Sequence, residues 1–256
     1  MRLRDVQAIV TGGASGLGEA TVRHIVENGG KAAIFDINDE KADRLMNELG
    51  KEQVLYMKTD VTNGGQVEDN TTKVADTFGN LNVLVNCAGV ATPGKVISRK
   101  GPVDLSHFKK VIQVNLVGTF NAVRIAAANM KENEPNKDGE RGVIVNTSSI
   151  AAFEGQIGQA AYSASKGGIA SMTLPIAREF ASFGVRVMAI APGLFETPMF
   201  DTLPEAAKKS LGEMTPFPNR LGNPAEYAKL VESILTNPML NGELIRLDGA
   251  IRMQPK

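Results

Sequence analysis

Thr11-Gly12-Gly13-Ala14-Ser15-Gly16-Leu17-Gly18 stands between a short apolar β-branched run at residues 6–10 and a segment of helical period at 17–28. Glycines at a strand-to-helix turn allow positive φ and let backbone approach a pyrophosphate, while the helix N-terminus offers unpaired N–H donors. The spacing is Gly-x-x-x-Gly-x-Gly rather than the common Gly-x-Gly-x-x-Gly. Gly12, Ser15, Gly16, Leu17 and Gly18 are therefore expected to cradle a dinucleotide. The plain alternative is a glycine-rich turn without a ligand.

Outward from this turn, strand candidates at 6–10, 31–35, 53–58, 81–85, 142–146, 185–190 and 243–247 alternate with helical stretches. The helices fall at 17–28, 39–48, 64–78, 105–130, 160–183 and 224–236. That rhythm predicts βαβ units. The fold class is α/β: a Rossmann-like, doubly wound parallel sheet of about seven strands with helices on both faces. The whole chain, 1–256, reads as one NAD-binding domain. Residues 94–106 and 131–141 read as polar loops, and Pro175 should bend its helix without breaking it.

Asp36 ends the second strand, where an acid can accept from both adenosine ribose hydroxyls and repels a 2′-phosphate. Ser15 and Ile37 supply no compensating cation, so NAD is expected over NADP. A solvated strand-end acid is the alternative. Asp60 and Val61 follow the third strand and suit the adenine edge. Asn86-Cys87-Ala88-Gly89 follows the fourth, and small residues there leave room for a ribose. Cys87 reads as packing, not as a thiol nucleophile. Gly89–Val96 spells a near P-loop, but Val96 stands where a magnesium-binding hydroxyl is needed.

Tyr162 and Lys166, four residues apart, share one helix face. A phenol of pKa near ~10 is a poor base at neutral pH. A neighbouring ammonium and a cationic nicotinamide should both lower it. Ser149, at the mouth of the fifth strand, can hydrogen-bond a substrate oxygen, with Ser148 turned the other way.

Taken together, Thr-Gly-x-x-x-Gly-x-Gly, Asn86-Cys87-Ala88-Gly89, Asn115, Ser149, Tyr162-x-x-x-Lys166 and Pro192-Gly193 resemble the short-chain dehydrogenase/reductase family over essentially the whole chain. The resemblance implies Tyr162 as acid/base, Ser149 as orienter of the substrate oxygen and Lys166 as holder of the nicotinamide ribose. It implies Asn115 as anchor of a relay water. Alone, Ser149 could be a strand-end cap and Asn115 a polar helix contact.

Longer strings (152–162, 191–195 and 245–253) resemble the type-2 3-hydroxyacyl-CoA dehydrogenases. So do an insertion before the Asn115 helix and a Glu-Pro loop before the fifth strand. The sequence Asp248-Gly249-Ala250 departs from the broader family's Asp-Gly-Gly in that direction. This likeness implies NAD as cofactor, homotetramers and oxidation of 3-hydroxyacyl-CoA to 3-oxoacyl-CoA. Hydroxysteroids or small secondary alcohols are the alternative substrates. It implies Gln156 as a second contact to the substrate oxygen, alongside Ser149 and Tyr162, although a surface loop amide explains Gln156 equally well. Pro192, Gly193, Phe195 and Thr197 fall on the nicotinamide side.

Leu194, Phe195, Met199, Phe200, Leu203, Met214 and Phe217 could form an apolar lid or simply pack. Lys95, Arg99 and Lys100 could meet CoA phosphates, although a solvated loop suits them better.

Composition sets the remaining bounds. Twenty-eight basic residues balance twenty-eight acidic ones, which argues against a nucleic-acid surface. One cysteine suits a reducing compartment, and a cytoplasmic location is expected. No apolar run approaches ~18 consecutive residues, so no membrane contact is expected. No metal cluster is legible. His24 and His107 are badly placed for a serine hydrolase. A dinucleotide sensor or scaffold without turnover has no need of Ser149, Tyr162 and Lys166 together.

Overall fold

Strands rich in Val, Ile and Ala can be buried on both faces, and these pair in parallel. The computed structural model describes residues 1–198 and 205–255, so Met199, Phe200 and Leu203 of the expected lid lie outside the described residues. The elements are β1 (Gln7–Thr11), α1 (Gly16–Glu27), β2 (Lys31–Asp36), α2 (Asp39–Leu49), β3 (Val54–Lys58), α3 (Gly64–Phe78) and β4 (Val83–Asn86). A two-stranded hairpin, β5 (Ile97–Ser98) and β6 (Gly101–Pro102), leads to α4 (Leu105–Ile112) and α5 (Gly118–Met130). Then come β7 (Gly142–Thr147), α6 (Ala160–Phe180), β8 (Val185–Pro192), α7 (Glu205–Glu213), α8 (Pro224–Thr236) and β9 (Leu244–Leu247).

The sheet has seven strands in the order β3-β2-β1-β4-β7-β8-β9. Strand order reverses between β1 and β4, and that is where a doubly wound sheet opens a crevice at the carboxyl ends of its strands. Thr11 pairs with Asn86 there, and Asn86 with Asn146.

Alternation sorts the side chains. Val10, Ile34, Val85, Val145 and Ile190 pack under α1, α2 and α8. Ile9, Phe35, Leu84, Ile144 and Val187 pack under α3, α5 and α6. Both faces are therefore covered.

Two expectations change in detail. The helix read at 105–130 contains a wider π turn at Gln113–Val117, between α4 and α5. The polar stretch 94–106 contains the β5–β6 hairpin. The segment Leu105–Met130 is also long and apolar enough, by length and composition alone, to cross a bilayer; 56% of its most apolar window is buried inside the fold. Helix α6 continues through Pro175.

Candidate active site

At the switch point the glycine turn has no space for side chains. A Cβ on Gly12 would sit 2.7 Å from Ala88 N, and one on Gly18 would sit 2.1 Å from Gly12 O. Gly12 and Gly16 take φ of 63° and 55°, a region costly to residues with a Cβ. Ser15 caps α1 without a side-chain hydrogen bond, which leaves first-turn N–H groups for a ligand. Asp36 is fixed beside them: Ala14 N donates to Oδ2 at 3.1 Å and Asn38 N to Oδ1 at 3.0 Å. Thr197 and Pro198 lie over Gly16, within 3.4 Å of where its Cβ would be. A cradle without Cβ atoms, open helix donors and a strand-end carboxylate together fit a dinucleotide.

A polar ladder runs beneath the crevice. Thr11 Oγ1 donates to Asn86 Oδ1 at 3.1 Å, and Asn86 Nδ2 donates to Asn146 Oδ1 at 2.9 Å. Thr11 Oγ1 also accepts from Ala88 N at 3.2 Å, which ties the end of β1 to the loop after β4.

The Tyr162–Lys166 pair sits on the first turns of α6, facing the carboxyl end of β7. Lys166 is only 5% exposed, and its Nζ donates to Thr147 O at 2.7 Å. Burial lowers its pKa to about 8. Burial holds the Tyr162 phenol above its ordinary pKa and outweighs the nearby Ser149 side chain, which favours the phenolate. This differs from the expected lowering by the ammonium. Lys166 Nζ lies 5.7 Å from the Tyr162 ring centroid and spends a donor on Thr147 instead. Ser148 does point away, donating to Lys166 O at 2.8 Å.

Asn115 lies inside the π turn and is fully buried. Its carboxamide accepts from Val90 N at 2.8 Å and donates to Val90 O at 2.9 Å and to Ser165 Oγ at 3.1 Å. A Cβ on Gly89 would lie 3.3 Å from Asn115 Oδ1 and 3.8 Å from Lys166 Nζ, so the three meet. Asn115 thus clamps the loop after β4 to α6.

Other expected contacts are placed differently. The Cys87 thiol turns toward Thr147 and Tyr227, leaving only its backbone for a ribose. The Phe195 ring is buried against Gly222. Asp60 Oδ1 accepts from Thr62 N and Oγ1, while Val61 packs over Gly118. Gly193 abuts Asp248 and ends β8 at Pro192. Gln156 Nε2 donates to Gln254 O at 3.1 Å, so its amide nitrogen is held by the C-terminal segment. Of the lid residues described, Met214 is half-buried and Phe217 is 83% exposed.

Sequence reading missed two supports. Tyr227 and Thr147 look like ordinary core residues of an amphipathic helix and a strand, yet their hydroxyls meet under the site. Glu154, Arg246, Asp248 and Arg252 look like scattered surface charges. Arg246 forks onto Glu154 at 2.8 and 3.3 Å and onto Asp248 at 2.7 Å, pinning the loop after Ser149 to the chain end. Only the tertiary fold reveals either.

Residues 7–208 match the family model for short chain dehydrogenases. The chain is 51% identical over 255 residues to 3-hydroxyacyl-CoA dehydrogenase type-2 of Bos taurus and of Homo sapiens, covering 99% of this chain and 97% of each relative. It is 49% identical to the Drosophila melanogaster protein of that name, covering 99% and 100%. The crystal structure of 3-hydroxyacyl-CoA dehydrogenase type-2 from Mycobacterium avium superposes with a TM-score of 0.93 at 42% identity, covering 97% of this chain and 96% of that one. With its glycine cradle at the switch point and Ser149, Tyr162 and Lys166 gathered beside it, this chain belongs to the short-chain dehydrogenase family, oxidoreductases that use a nicotinamide dinucleotide.

Proposed function

We propose that the protein is an NAD-dependent dehydrogenase that interconverts 3-hydroxyacyl-CoA and 3-oxoacyl-CoA, acting as a homotetramer. The observation that carries the chemistry is the Tyr162 phenol, with Ser149 placed to favour its phenolate, beside a buried Lys166 whose Nζ is held on Thr147 O. The full-length likeness to type-2 3-hydroxyacyl-CoA dehydrogenases, 51% and 49% identical, supports the substrate. Asp36, fixed at the glycine turn with both oxygens placed, supports NAD.

Hydride exchange is the chemistry the nicotinamide supplies when bound. Everything else falls to the chain. Ser149 orients the substrate oxygen and Tyr162 takes its proton in oxidation or returns it in reduction. Burial of Tyr162 keeps the phenol protonated in the protein alone, so added positive charge nearby is what makes it a base. Lys166 and Gly89 hold the ribose side, and Asn115 fixes the loop that carries Gly89. Leu105, Phe108, Val117 and Phe120 leave an apolar row exposed along α4, the π turn and α5, which supports burial against another copy.

The test is absorbance at the NADH band with purified protein, NAD and a panel of short and long 3-hydroxyacyl-CoAs, hydroxysteroids and small alcohols, beside Tyr162→Phe. Acyl-CoA turnover that vanishes in the variant supports the reading. Turnover of steroids or small alcohols alone keeps the mechanism and removes the acyl-CoA assignment. Dinucleotide binding without any turnover favours a sensor.

A further inference from the structure

Tyr227 lies on α8, across the sheet from α6, and is fully buried. Its hydroxyl is 2.8 Å from Thr147 Oγ1 and 3.8 Å from Cys87 Sγ. Thr147 Oγ1 is in turn 2.5 Å from Asn86 O. A carbonyl only accepts, so the single Thr147 proton goes to Asn86. The Tyr227 hydroxyl must then donate to Thr147, while the Cys87 thiol lies within reach of both hydroxyls, 3.7 Å from Thr147 Oγ1 and 3.8 Å from Tyr227. The result is a buried one-way chain from phenol to threonine to carbonyl, in which each donor polarises the next. Burial also keeps the Tyr227 phenol protonated, so its donor role holds across the working pH range.

Both ends of this chain matter. Asn86 is the hub of the ladder from Thr11 to Asn146. Thr147 presents the carbonyl that receives Lys166 Nζ at 2.7 Å. We propose that Tyr227 is a positioning residue for the reaction, acting from the opposite face of the sheet through Thr147 to hold Lys166 in place. The proposal rests on Tyr162 and Lys166 being the proton-handling pair; retained turnover in Tyr162→Phe removes that reading, whatever Tyr227 does.

Tyr227→Phe keeps the ring and deletes one hydroxyl. Losing a well-placed acceptor weakens the ammonium and with it the phenolate. Oxidation should therefore fall about three- to tenfold in kcat, with KM for the dinucleotide rising as well because the same Lys166 holds its ribose side. The pH at half-maximal oxidation should rise by about half a unit. Thr147→Val should reproduce these effects and Thr147→Ser, which keeps the hydroxyl, should reverse them. The double variant Tyr227→Phe with Thr147→Val should be no worse than either single one, because both cut the same chain. An unmoved pH midpoint overturns the proposal, even if thermal stability drops, because a packing role alone leaves titration in place. Additive losses in the double variant overturn it too. If Tyr227→Phe fails to fold, the Thr147 pair carries the same comparison.

Discussion

Lys166 holds an ammonium at 5% exposure with Thr147 O as its acceptor, and its pKa is lowered to about 8. In the unfolded chain the lysine keeps its ordinary value, so between about pH 8 and the ordinary lysine range the unfolded state binds more protons. Stability contributed by this residue therefore rises with pH through that window. Compared with Lys166→Met, which removes the titration, the dinucleotide-free protein should gain on the variant by a few kcal/mol, on the order of ~3, from pH 7 to pH 10. Urea unfolding at both pH values reads the difference, and a constant gap refutes the account. Asp36 makes a second prediction at this scale. Asp36→Ser with Ile37→Arg removes the carboxylate and adds a cation, so the NAD to NADP ratio of kcat/KM should fall by at least about two orders of magnitude. The variant also loses the Ala14 N–H acceptor, so some NAD affinity should go even where NADP use improves.

Among the elements, glycines show how local space decides an outcome. Gly18 opens α1 with its Cβ position 2.1 Å from backbone, whereas the first atom near a Cβ on Gly65 in α3 is Asn63 Oδ1 at 3.6 Å. Gly18→Ala should destabilise by about 1–3 kcal/mol and weaken dinucleotide binding. Gly65→Ala should stabilise by up to about 1 kcal/mol through the unfolded chain. Thermal melts with and without dinucleotide separate the two; equal effects would mean that crowding at the turn is relieved elsewhere. The glycine turn, the strand rhythm and the Tyr162–Lys166 spacing were all legible because each depends on local periodicity or backbone geometry. The π turn around Asn115 was not. One extra residue in a helical turn leaves no mark that the apolar spacing of residues 105–130 shows. Cys87 was read as packing and Phe195 as lid or packing, but what each side chain packs against was not legible for a related reason: sequence gives their place in a loop but not which way they turn.

At the scale of the whole molecule, the run 131–141 reads as a solvated loop, yet Glu140 within it is 7% exposed. Its Oε2 accepts from Arg186 Nε at 2.5 Å, and the Met1 ammonium lies 3.7 Å from Oε1. Arg186, at the start of β8, also donates to Ile234 O, Leu235 O and Leu240 O. One guanidinium thus joins the loop after α5, the sheet, the end of α8 and the turn into β9. Charges in a sequence look alike whether solvated or buried, so only long-range pairing distinguishes this one. The geometry also ranks the substitutions. Glu140→Gln leaves a buried guanidinium that still has three carbonyl acceptors. Arg186→Met leaves a buried carboxylate and strips Ile234 O and Leu240 O of this donor, while Leu235 O keeps the Met1 ammonium. Breaking a buried pair costs about 3–5 kcal/mol, and each orphaned buried carbonyl adds on the order of ~1 kcal/mol or more. Arg186→Met should therefore be the more damaging, with the double variant recovering only part of the loss. Arg186 lies at the opposite end of β8 from Pro192, so kcat below the unfolding temperature should not change. Urea unfolding of the three variants decides the matter: if Glu140→Gln proves the worse, the carbonyl contacts are not what makes Arg186 the joint.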